Sequence, residues 1–157
     1  MNFAIRTYPF AVLVAATLLA AAMPAAADGK RKPSPVDPVW QEECASCHIA
    51  YPPRLLPASS WQRLMQGLGD HFGSDASLEP QRAAAIEAFL VANAGKPKSG
   101  ATAVPLRITE TTWFRREHDE VAASKWRSPA VGSPANCAAC HTQAEKGRFD
   151  EDEIRIS

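Results

Sequence analysis

The chain has 157 residues, 17 basic and 17 acidic side chains and a formal net charge of zero. That balance argues against a nucleic-acid partner, which would call for a basic surface. The length allows one domain, or two very small ones.

The N-terminus reads as a secretory signal peptide over 1–27. Arg6 precedes an apolar run from Phe10 to Ala22, Met23-Pro24 breaks it, and Ala25-Ala26-Ala27 offers a cleavage site before Asp28. The run is short for a membrane span. An exported, soluble, periplasmic mature protein of about 130 residues is expected, with a retained N-terminal anchor as the alternative. Loss of Arg6 leaves this mature chain at about minus one.

Asp28 to Pro35 reads as a polar arm. Asp37-Pro38 is an N-cap followed by proline at the first helical position, and the helix it starts runs into Cys44. Cys44-Ala45-Ser46-Cys47-His48 is a C-x-x-C-H motif, the attachment signature of a c-type haem. Two thiols at this spacing reach the two vinyl groups of one porphyrin, and the adjacent histidine offers its imidazole to the iron. Tyr51-Pro52-Pro53 then predicts an extended loop. Pro57 to Ser60 should cap a helix whose apolar face is Trp61, Leu64, Met65 and Leu68. Gly67, Gly69 and Gly73 loosen the backbone around His71. Ser77 is the expected cap of a further helix, with Pro80 near its start, running through Ile86, Phe89 and Leu90 to Asn93.

The Gly-, Pro-, Lys- and Ser-rich stretch from Gly95 to Pro105 reads as the boundary between a first half, 28–96, and a second, 97–157. Leu106 to Ile108 suggests a short extended piece. Thr111 or Thr112 should cap a helix carrying Trp113, Phe114, His118, Val121 and Ala122 on one face. Ser133-Pro134 repeats the cap-plus-proline signal and predicts a helix delivering the second motif, Cys137-Ala138-Ala139-Cys140-His141. Gly147 should be a stop. Asp150 to Glu153 reads as a solvated acidic tail that could alternatively dock a basic partner. No strand pattern emerges, so the expected class is all-α.

The two motifs use all four cysteines, so the expected cofactors are two covalently bound haem c groups. Zinc, a redox dithiol or disulfides are the competing readings of C-x-x-C, and none of them explains both following histidines. The large haem plates would supply much of the core, and the apo-chain should be poorly ordered.

Only four histidines are present. His48 and His141 belong to the motifs, leaving His71 and His118 as sixth ligands for two irons. Beyond the leader the only methionine is Met65, read as core rather than ligand. His71 lies 23 residues after His48, and His118 lies 23 before His141. Local pairing, His48 with His71 and His141 with His118, needs the shortest loops. Crossed pairing is the alternative. Six-coordinate bis-histidine iron has no open position for substrate, so electron transfer is the expected work and no small-molecule substrate is expected. Arg115, Arg116 and Lys125 are candidate partners for haem propionates.

On these residues the chain resembles the bacterial dihaem cytochromes c. The likeness rests on the two motifs, the Trp61-to-Gly73 segment with His71-Phe72-Gly73, and the His118 helix. It implies a first half like a monohaem cytochrome c and a less regular second half. It also implies bis-histidine ligation at both haems and a low-potential periplasmic carrier. The donor would be a membrane cytochrome b and the acceptor a high-spin monohaem cytochrome. The competing functions are a haem enzyme or subunit, such as a dihaem peroxidase with one open iron, and a structural zinc module.

Overall fold

The computed structural model describes residues 34–97 and 105–155. The expected leader, 1–27, and most of the expected boundary segment lie outside the described residues. Five α-helices and a series of single 3-10 turns make up the regular structure, and the described residues contain isolated bridges but no strand.

The first half is built on three helices: α1 (Pro38–Cys44), α2 (Ala58–Gln66) and α3 (Pro80–Ala92). The Asp37 carboxylate caps α1 by accepting from the Trp40 N–H at 2.8 Å, with Pro38 at the first position. This is the pairing of cap and proline that the sequence predicts. Trp40, Leu56, Trp61, Ile86 and Leu90 form one buried cluster, with Ile86 wholly inaccessible. Trp40 packs against Phe89 across α1 and α3, ring centres 5.2 Å apart, and the Trp61 indole N–H donates to the Pro53 carbonyl at 2.7 Å.

Four local expectations are corrected here. Pro53–Leu55 is a 3-10 turn rather than fully extended. No side chain caps α2; Ser60 instead is buried and its hydroxyl donates to the Pro105 carbonyl, 2.7 Å away. Leu68 lies beyond α2, which ends at Gln66 with Gly67 as its C-cap, and begins the 3-10 turn Leu68–Asp70. The cap of α3 is Glu79, whose carboxylate accepts from Gln81 and Arg82 N–H. Ser77 is engaged elsewhere, its N–H donating to Asp75.

The second half is made of shorter pieces. Ile108–Glu110 is a 3-10 turn, not an extended piece, and Ile108 packs against the first-half core. Thr111 caps α4 (Thr112–Glu117), accepting from the Phe114 N–H at 3.0 Å. The helix stops at His118, and Val121 and Ala122 fall between it and α5 (Ala123–Trp126) instead of continuing its face. The second motif is not on an α-helix: Cys137–Ala139 is a 3-10 turn. Ser133 does not start a helix; it closes a local turn by accepting from the Ala135 N–H. Gly147 does act as a stop, at φ +69.

The acidic run departs from a solvated tail. Glu151–Glu153 is a 3-10 turn whose flank is tied to the second motif. The Glu153 carbonyl accepts from the Thr142 hydroxyl at 2.9 Å, Arg155 N–H donates to the Cys140 carbonyl at 2.9 Å, and Arg148 pairs with Asp150 and Glu153. Phe114, Val131 and Ala144 are the buried apolar residues of this half.

Candidate functional site: two facing histidine pairs

His71 is the outer flank of a tight turn. Its N–H donates to the Ser74 carbonyl at 2.7 Å and its carbonyl accepts from Ser74 N–H. The two central residues, Phe72 and Gly73, both have positive φ, +56 and +94. That fits a two-residue turn of the left-handed type. Phe72 there is an unusual conformation for a bulky side chain, and the Arg107 guanidinium covers its ring at 3.9 Å. Asp70 accepts from Gly73 N–H and closes the same turn. The imidazole of His71 is thereby aimed back at His48, ring centres 6.2 Å apart and planes at 29°.

His118 is placed differently. It terminates α4, and its Nδ1 donates to the Phe114 carbonyl at 2.9 Å. That carbonyl is in the last turn, where the helix leaves acceptors unfilled. The Phe114 ring stacks on the imidazole at 4.1 Å and 20°, and Trp126 lies 5.8 Å away. His118 faces His141 with ring centres 6.1 Å apart and planes at 78°.

The structure therefore brings together the residues that the sequence singles out, in local and not crossed pairs. The spacing has a chemical meaning. An imidazole nitrogen binds a metal at about 2 Å and lies about 1 Å from its ring centre, so two imidazoles on opposite sides of one ion put their centres about 6 Å apart. Both pairs stand at that separation.

Tautomers agree with it. A carbonyl can only accept, so Nδ1 of His48, 2.7 Å from the Ile49 carbonyl, and Nδ1 of His118 carry protons and leave Nε2 free to ligate. Burial, then His48 and Arg107, holds His71 below the usual imidazole range; burial and His118 do the same for His141. Neutral imidazole is the ligating form. The four cysteines are free of disulfides. Burial is the main force pushing the Cys44 and Cys137 thiols up to about 11. Among the described residues no group of three or more His, Cys, Asp or Glu is gathered as a metal cage.

The family profile described as Dihaem cytochrome c matches residues 40–149. The chain belongs to the dihaem cytochrome c family. Solved structures agree. A dihaem cytochrome c from Shewanella baltica OS155 is 44% identical, with a TM-score of 0.69, over 78% of this chain and 94% of that one. A dihaem cytochrome c from Rhodobacter sphaeroides is 47% identical, with a TM-score of 0.67, over 74% of this chain and 99% of that one. A comparison with curated proteins gives no match. This dihaem cytochrome is thus a helical, electron-transferring haem protein with two covalently bound haem c groups.

Two residues around the pairs were not singled out as site residues in the sequence. Tyr51 lies against the His48 ring at 4.7 Å and donates its hydroxyl to the Ala135 carbonyl at 2.7 Å; burial, then Cys137, pushes it up to about 12. Phe149 meets the His141 ring edge-on at 5.3 Å. An aromatic three residues after a motif histidine is the available signal for Tyr51; Phe149 has none, because the fold-back of the tail places it. Of the candidate propionate partners, Arg116 pairs with Glu117, whereas Arg115 lines a cavity of about 570 Å³ with Arg63 and Arg107.

Proposed function

We propose that this dihaem cytochrome is a periplasmic electron carrier with bis-histidine ligation at both irons. Cys44 and Cys47 would hold the first haem by thioethers, with His48 and His71 as axial ligands. Cys137 and Cys140 would hold the second, with His141 and His118. The haem iron supplies the one-electron chemistry when bound. The chain's part is to face two imidazoles at each site, one of them held Nε2-free by its Nδ1 bond, to deny substrate an open position, and to hold the pairs in one frame. The observation that carries this reading is the separation of the two imidazole pairs, 6.2 and 6.1 Å between ring centres. Met65 packs against the first-half core, which fits a packing role rather than ligation.

The family likeness suggests a membrane cytochrome b as donor and a soluble high-spin monohaem cytochrome as acceptor. The leader-like sequence over 1–27 supports export to the periplasm, with cleavage after Ala27. Absorption spectra of the matured protein, with and without carbon monoxide, test the ligation. Low-spin bands and no carbon monoxide binding at neutral pH are expected. A high-spin band or ready carbon monoxide binding would overturn the carrier reading in favour of an enzyme with an open iron.

A further inference from the structure

The two imidazole pairs have the same spacing but opposite orientation. In the first the ring planes are 29° apart, close to parallel; in the second they are 78° apart, close to perpendicular. Different contacts hold each. The proximal ring of the first pair, His48, is anchored through Nδ1 to the Ile49 carbonyl. In the second pair the anchored ring is the distal one. His118 bonds the Phe114 carbonyl and is stacked face to face with the Phe114 ring, while the Nδ1 of His141 is buried with no hydrogen-bond partner among the described residues. Rotation of His118 about the axis that joins the pair would take it out of its stack with Phe114.

Ligand planes matter to low-spin ferric iron. Each imidazole acts through its π system on one of two nearly equal d orbitals, the one set by its plane. Parallel planes act on the same orbital and split the pair; crossed planes act on different orbitals and leave them nearly equal. The unpaired electron reports this directly. Split orbitals give a rhombic resonance, and near-equal orbitals give a broad one whose largest g value is much higher. Orienting contacts of this kind are a recognised lever on a metal site.

We infer that the two haem centres are electronically inequivalent, a near-parallel first centre and a crossed second one, and that Phe114 is the positioning residue that holds the crossed plane. This rests on the bis-histidine reading above. Phe114 is not itself a ligand; it acts through His118.

The test is low-temperature electron paramagnetic resonance of the oxidised holoprotein. The expected spectrum holds two low-spin signals, one rhombic and one with a large maximum g value. A high-spin signal overturns the bis-histidine reading and this inference with it. Two low-spin signals of one shape overturn the inference and leave the ligation standing. Phe114→Leu keeps the carbonyl and removes the stacked ring. It should shift the large-g feature to lower g while the rhombic signal stays in place; an unchanged large-g feature overturns the role of Phe114. Phe114→Tyr preserves the aromatic face and should retain the feature, so its loss in that variant overturns the role even if the leucine variant fails to mature.

Discussion

The two halves solve one problem with different materials. The first has a protein core of its own: five buried apolar side chains from three helices and the loop between α1 and α2, led by Ile86, Leu90 and two tryptophans. The second is a string of four- to six-residue helices and 3-10 turns with three scattered buried apolar residues. Helices that short do not hold themselves in water. The first half therefore carries a side-chain core before any haem is counted, and the second half has little core without one.

The sharpest way to break that contrast is to remove the haems one at a time. Cys137→Ala with Cys140→Ala should abolish amide-exchange protection through most of 111–155 while the Ile86 and Leu90 region keeps it. Cys44→Ala with Cys47→Ala should leave residual protection in α2 and α3. Equal loss in both halves would end the comparison. Ligand removal comes next. His71→Ala and His118→Ala should each convert one haem of the two to a carbon monoxide-binding form, and the His118 variant should lose more order around its haem, because α4 ends on that residue. Core truncation is smaller. Ile86→Ala should cost about 4 kcal/mol and Val131→Ala about 2 kcal/mol in denaturant titration of the holoprotein, the larger side chain and its complete burial in the first core both contributing. Smallest is the joint: Tyr51→Phe removes the bond to Ala135 and should cost about 1 kcal/mol, read as a small fall in midpoint with both spectra intact.

What the sequence reveals of this molecule follows the same division. Asp37-Pro38 and Thr111 act through neighbours two to four residues away, and both caps form as their residues suggest. The same kind of signal misleads at Ser77 and at Ser133. Asp75 captures the first in a local turn, and the second makes a turn of its own, its hydroxyl accepting from the Ala135 N–H. The pairing of the four histidines is legible by elimination, since two stand in the motifs and two are left over, and the structure sets them face to face. The orientation of the rings was not. It depends on where Phe114, Ile49 and the turn at Phe72 come to rest, and those are tertiary facts. The fold-back of the acidic run was equally hidden, because it is made largely by backbone bonds between Arg155 and Cys140 and between Thr142 and Glu153 that any residue could supply, the Thr142 hydroxyl adding a third.

The loop that leaves the first motif grips the second on both sides. Tyr51 donates to Ala135, two residues before Cys137, and Arg54 donates at 3.0 Å to the Gly147 carbonyl, six residues after His141. Gly147 at that point has Pro52 close beside it, 3.4 Å from where a side chain would begin. These contacts clasp the two redox centres together from two sides. Internal electron exchange is then a jump between fixed points, responsive to temperature and driving force and indifferent to solvent viscosity, while exchange with an outside partner keeps the viscosity dependence of any diffusional encounter.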